Sequence, residues 1–150
     1  MRFPSVAESM ITVDIIATKD VDLWWDRLAP YYERAIAKGN GDISMDNTLH
    51  GLREGSRYAV AVMRGDQIIG ACSFHNSVAA DGKKVLLYGL LSLDNGTFKD
   101  VVGKLEQVCI LLVKWLGADG MQAQGRKGWA RVLKKYGCYE TDEGKVRKDY

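Results

Sequence analysis

Apolar positions along this chain change period several times, and each change marks an element. Ile11 to Ala17 is a β-branched run and predicts a first strand. Asp20 or Asp22 can cap the helix that comes after it. Trp24, Leu28, Tyr31, Ala35 and Ile36 share one face of that helix through Lys38. Pro30 inside that pattern predicts a kink or the start of a second helical piece. Gly39-Asn40-Gly41 reads as its stop. Asp42 or Asp46 is the expected cap of a short helix carrying Leu49 and Leu52 and closed by Gly55.

Strand periods come next. Arg57 to Met63 and Ile68 to His75 flank a tight turn at Arg64-Gly65-Asp66-Gln67, an antiparallel hairpin. Ala80-Asp81-Gly82-Lys83 signals a second one. From Val85 to Leu93 the apolar residues do not alternate, which predicts a strand covered on both faces. Gly89 within it marks a packing kink, the simpler reading, or a bulge that exposes a backbone N–H. Phe98, Val101, Val102, Leu105, Val108, Cys109, Leu112, Val113 and Leu116 form one broad helical stripe ended by Gly117. Met121 to Gln124 predicts a strand. Trp129, Val132, Leu133 and Tyr136 predict a last amphipathic helix, stopped by Gly137. Trp129 is expected to be a core anchor. Tyr139 to Thr141 and Lys145 to Lys148 flank Asp142-Glu143-Gly144 as a closing hairpin.

Composition adds limits. At 150 residues the chain suits one domain over 1–150. A formal charge of +2 does not point to nucleic acid. Cys72, Cys109 and Cys138 sit in apolar surroundings and read as buried free thiols. Glu8 and Asp14 interrupt the first residues, so no signal peptide is expected, and no apolar run is long enough for membrane insertion. The expected location is the cytoplasm of the cell that makes it.

The order of elements is strand, two helices, three antiparallel strands, long helix, strand, helix and hairpin. With a glycine stop near the C-terminus, it resembles the GNAT acyl-CoA N-acyltransferases. That resemblance implies an α+β fold, a mostly antiparallel central sheet with helices on both faces. It also implies that the fourth and fifth strands splay to admit acetyl-CoA. The family's last helix carries Asn-x-x-Ala-x-x-x-Tyr-x-x-x-Gly-Phe. Counted back from Gly137, the tyrosine position, a general acid in the family, holds Leu133, and the asparagine position holds Arg126. Gly125-Arg126-Lys127-Gly128-Trp129-Ala130-Arg131-Val132-Leu133, after Trp115-Leu116-Gly117-Ala118, resembles a divergent GNAT-like group of tailed bacteriophages.

The family's acetyl-CoA loop, Gln/Arg-x-x-Gly-x-Gly/Ala, maps onto Leu93 to Asp100, where only Gly96 is glycine. Asp94 and Asp100 are expected to repel a pyrophosphate. Leu91, Leu93, Asn95, Gly96 and Thr97 are the positions that would hold the cofactor. No catalytic residue is assigned, since Tyr88 and Ser92 are the only polar side chains on the fourth strand and read as packing and turn residues. Cys72 and His75, three apart on a strand, face opposite sides, and His50 stands alone, so no metal site is expected.

Lys127, Arg131, Lys134 and Lys135 form a basic face extended by Arg126, Lys145, Arg147 and Lys148. It is a solvated helix face or a surface for an acidic partner. Aromatic platforms for single-stranded nucleic acid are missing. Two functions fit these features. The favoured one is a non-catalytic, phage-type GNAT-fold protein with no cofactor, a virion component or host-directed binder docking through Arg126, Lys127, Arg131 and Lys134. The alternative is an acyl-CoA-dependent N-acetyltransferase with a non-standard loop and acetyl-CoA as its cosubstrate.

Overall fold

A computed structural model describes residues 10–38, 43–124, 133–141 and 145–150. Its strands form one seven-stranded sheet in the order β1-β2-β3-β4-β5-β7-β6. They are β1 (Ile11–Ile16), β2 (Arg57–Arg64), β3 (Gln67–Val78), β4 (Lys84–Leu93), β5 (Gly120–Gln124), β6 (Tyr139–Glu140) and β7 (Lys145–Asp149). Every neighbouring pair is antiparallel except β4 and β5. Helices α1 (Val21–Ala37), α2 (Met45–Glu54) and α3 (Phe98–Leu116) account for the long apolar stripes. The α+β architecture read from the sequence is therefore the one observed.

Strand alternation sorts the core into two layers. Val60, Val62, Cys72, Phe74 and Leu86 pack against Val101, Leu105, Cys109 and Leu112 of α3. Ala59, Ala61, Ala71 and Leu90 face the other way, against Leu28, Tyr31 and Tyr32 of α1 and Leu52 of α2. The small residues on that second face let α1 lie close to the sheet. The buried Tyr32 hydroxyl then donates to the Cys72 carbonyl at 2.9 Å and fastens helix to strand.

Two local expectations are corrected. Pro30 lies inside one continuous α1 and does not begin a second piece. Its exposed position lets the carbonyl it leaves without a partner meet water. The cap of α2 is Ser44, not Asp42 or Asp46; its Oγ accepts the Asn47 N–H at 3.0 Å, while Gly55 closes the helix at φ 84°. The predicted stop at 39–41 and most of the last helix, 125–132, lie outside the described residues. What is described of that helix ends as expected, with Gly137 at φ 85°.

Candidate functional site

The site begins with a change of parity in β4. Leu86 and Tyr88 face α3, as Leu91 and Leu93 do, yet Leu90 between them packs on the α1 side. The register explains this. Cys72 pairs with Leu91 but Phe74 with Tyr88, so Gly89 and Leu90 together oppose Ser73. Gly89 therefore marks a bulge rather than a packing kink, and that bulge breaks the alternation of the strand. Ser73 fills it, its buried Oγ accepting the Leu90 N–H at 2.8 Å. A Cβ on Gly89 would lie 2.6 Å from that Oγ, which is why no side chain stands there.

The bulge coincides with the parting of two strands. β5 pairs with β4 only from Val85 to Tyr88, opposite Gly120 to Ala123. Beyond Tyr88, β4 runs on to Leu93 without β5 beside it. The chain then turns through Asp94, Asn95 and Gly96 and enters α3 at Phe98. The opening between β4 and β5 thus faces a long helix's N-terminus, where amide N–H groups and the helix dipole favour an anion.

Two polar groups flank the vertex on opposite faces. On the α1 and α2 side is His75, paired with Leu87 and one strand from Gly89. Its Nδ1 is buried, has no hydrogen-bond partner, and would be 3.7 Å from a Cβ on Gly89. Burial, then the Arg57 guanidinium, hold its pKa below the usual histidine value, so it is neutral at pH 7. On the α3 side is Tyr88. Burial pushes its phenol well above its ordinary range, so it keeps its proton. The Cys109 thiol donates to the Tyr88 oxygen at 2.8 Å and is itself pushed up to about 12 by burial, an unreactive thiol.

His75 belongs to a row that crosses the sheet: Arg57, His75, Leu87, Gln122, Arg147 and Tyr139 are successive partners. Arg147 is buried and doubly matched, by Asp81 at 2.9 Å and Asp149 at 2.8 Å. Among the described residues, the buried side-chain atoms without a hydrogen-bond partner are Arg57 Nη1, His75 Nδ1 and Arg147 Nη2, all in this row. Sequence reasoning missed the grouping because it exists only through pairing between distant strands. The expectation that Cys72 and His75 face opposite sides holds, with Cys72 in the α3 layer. Among the described residues no group of metal-ligating side chains converges, and no helix is long and apolar enough to cross a membrane.

The structure also places the residues singled out for a cofactor. Leu91 and Leu93 lie on the end of β4 that β3 pairs and β5 does not, packed toward α3. Asn95 and Gly96 are exposed in the turn, and Gly96 takes φ 79°. Thr97 is buried, its hydroxyl donating to the Asp94 carbonyl at 2.7 Å. Asp94 is not the bare negative charge that its position suggested. Its carboxylate accepts from Tyr31 at 3.1 Å and Arg34 at 3.3 Å, which ties the turn to α1. Of the residues singled out for a partner, Lys134 is exposed, and Arg126, Lys127 and Arg131 lie outside the described residues, as does Trp129. Leu133 is half-buried.

No protein-family model matches the sequence, and a search of curated proteins returns no match. Solved structures do match. A predicted acetyltransferase from Clostridium acetobutylicum, solved with acetyl-CoA, superposes with a TM-score of 0.64 at 17% identity, over 89% of this chain and 93% of that one. A GNAT family acetyltransferase from Brucella melitensis in complex with acetyl-CoA gives 0.63 at 14% identity, over 94% and 88%. An aminoglycoside acetyltransferase from an uncultured soil metagenomic sample gives 0.60 at 16%, over 84% of each chain. The chain has the fold of the GNAT acetyltransferases. These likenesses add nothing to the phage virion assignment.

Proposed function

We propose that this chain is an acyl-CoA-dependent N-acyltransferase, the alternative that the sequence placed second. The observation that carries it is the parting of β4 from β5 at the Gly89–Leu90 bulge, opening toward the N-terminus of α3. That two neighbours of the same fold were solved with acetyl-CoA supports it. An acyl-CoA in the opening supplies a thioester carbon for transfer. Leu91 and Leu93 border its path, and Asn95, Gly96 and Thr97 lead to the helix amides suited to the pyrophosphate.

The chain's own groups divide the proton work. An acceptor amine approaching from the α1 and α2 side meets the neutral His75 Nδ1. As the amine nitrogen bonds to the acyl carbon and the carbon–sulfur bond breaks, Nδ1 takes the amine's proton. Tyr88, protonated and on the opposite face of the vertex, gives its proton to the leaving sulfur. The phenolate then recovers one through solvent from His75, which completes amide and thiol.

Calorimetric titration with acetyl-CoA should show saturable micromolar binding, and thiol release in a panel of amines should accompany it. Binding no tighter than about 1 mM would end this reading.

A second reading keeps one specific observation. The Leu90 N–H at the bulge is already taken by Ser73 Oγ, so it is not free for an acyl oxygen. A catalytically silent GNAT fold in a phage virion or host complex, docking through Arg126, Lys127, Arg131 and Lys134, would need no such donor. Its test is pull-down with Lys127, Arg131 and Lys134 reversed to glutamate. Under this reading association is lost while the fold is kept.

A further inference from the structure

Arg57 is a partly buried guanidinium that forms no ion pair with a described residue and keeps one buried nitrogen without a partner. It opens β2, and its stem runs under α2 where Gly51 makes room. A Cβ at Gly51 would lie 2.7 Å from Arg57 Cδ and 3.0 Å from its Nε. The side chain makes no hydrogen bond or ion pair with any described residue, and its Nη1 is buried. The buried Arg147 in the same row shows how this protein treats a guanidinium kept for structure alone, giving it Asp81 and Asp149. A guanidinium N–H buried without an acceptor is costly, and a guanidinium is the side chain best shaped to take a carboxylate or phosphate.

Its position says which molecule would bring the anion. Arg57 pairs directly with His75, and the His75 Nδ1 faces Gly89 at the vertex. From Arg57 on β2 to His75 on β3 is one strand spacing, about 5 Å. That is the span of a small molecule whose amine lies at His75 and whose anionic group lies at Arg57. A polyamine or an aminoglycoside would instead bring a like charge against the guanidinium.

We propose that Arg57 is the anchor for an anionic group on the acyl acceptor, so that this protein acylates small amines bearing a carboxylate. The proposal rests on the acyltransferase reading and deepens it. Arg57 is a specificity-determining residue and takes no proton.

The experiment pairs each amino acid with its decarboxylated amine, using acetyl-CoA and thiol release, in wild type, Arg57→Gln and Arg57→Lys. Phosphoethanolamine and spermidine are added as acceptors. The expected result is turnover of amino acids over their decarboxylated partners. In Arg57→Gln the KM for amino acids should rise about 10- to 100-fold more than that for their decarboxylated amines, any change in kcat from the lost charge beside His75 should be shared by both, and Arg57→Lys should recover part of the loss. Preference for phosphoethanolamine would replace carboxylate by phosphate at the same anchor and overturn the stated class. Preference for spermidine, equal losses for amines and amino acids, or no turnover while acetyl-CoA binds would overturn the anchor itself.

A binding arm separates this from failure of the acyltransferase reading. The chain has two histidines, so imidazole NMR resolves His75 from the exposed His50. Titration with succinate should move the His75 signals in wild type and not in Arg57→Gln, whether or not acetyl-CoA binds. Unmoved His75 signals in wild type overturn the anion site. Arg57→Gln should also unfold at the same or higher denaturant concentration. A lower midpoint would mean that the guanidinium is structural.

Discussion

Gly89 carries much of the site by having no side chain. An alanine there would press on Ser73 Oγ, and moving that hydroxyl strands the buried Leu90 N–H. Gly89→Ala should therefore cost about 1–3 kcal/mol, read as a lower urea midpoint at unchanged slope. His75 makes a pH prediction. Its folded pKa lies below its ordinary 6.5, so below that value the unfolded chain binds more protons than the folded one. The stability it supports is complete above 6.5 and is lost as pH falls through the folded value. Between about pH 7.5 and about pH 5, wild type should lose more stability than His75→Gln. Tyr88→Phe removes one hydroxyl and should cost only about 1 kcal/mol through the Cys109 thiol, while kcat drops about 100-fold. A kcat that stays level would remove Tyr88 from the proton path.

At the scale of elements, most of the chain was readable because period and punctuation are local. Nearly every strand and helix comes from alternation, from the 3.6-residue stripe, or from glycines at helix ends. The misses have physical causes. Pro30 reads as a breaker, yet burial of Leu28, Tyr31 and Tyr32 on either side outweighs one absent hydrogen bond. The cap of α2 was sought at aspartates, but Ser44 stands directly before the first helical residue. Ser44→Ala should cost about 1 kcal/mol, measurable by thermal melting, and Asp46→Ala much less. The bulge was half legible, since a glycine in a non-alternating strand names it without deciding it. The grouping of Arg57, His75 and Gly89 was not legible at all. Each residue is unremarkable in its own strand, and only the register, fixed by long-range pairing, makes them neighbours.

For the whole molecule, β4 and β5 are the place where two bodies of sheet meet. A ligand that binds this opening in the folded state alone should stabilise the protein by about 2.7 kcal/mol at 100 times its dissociation constant, visible as a rise in Tm with acetyl-CoA. The same seam bears on the order of assembly. β1 to β4 form an antiparallel block in which β2, β3 and β4 succeed one another through short turns, while β5 arrives only after the whole of α3 and is joined along the stretch from Val85 to Tyr88. Closing a long chain segment for so short a row of hydrogen bonds is slow and gains little until the rest is in place. The C-terminal strands are thus the last to dock and the first to detach. Native-state hydrogen exchange should find the β5 and β7 amides opening at lower free energy than those of β2 and β3. The cleft that would receive a ligand is also the fold's unfinished edge, so a bound ligand would complete the folding reaction that the polypeptide leaves weakest.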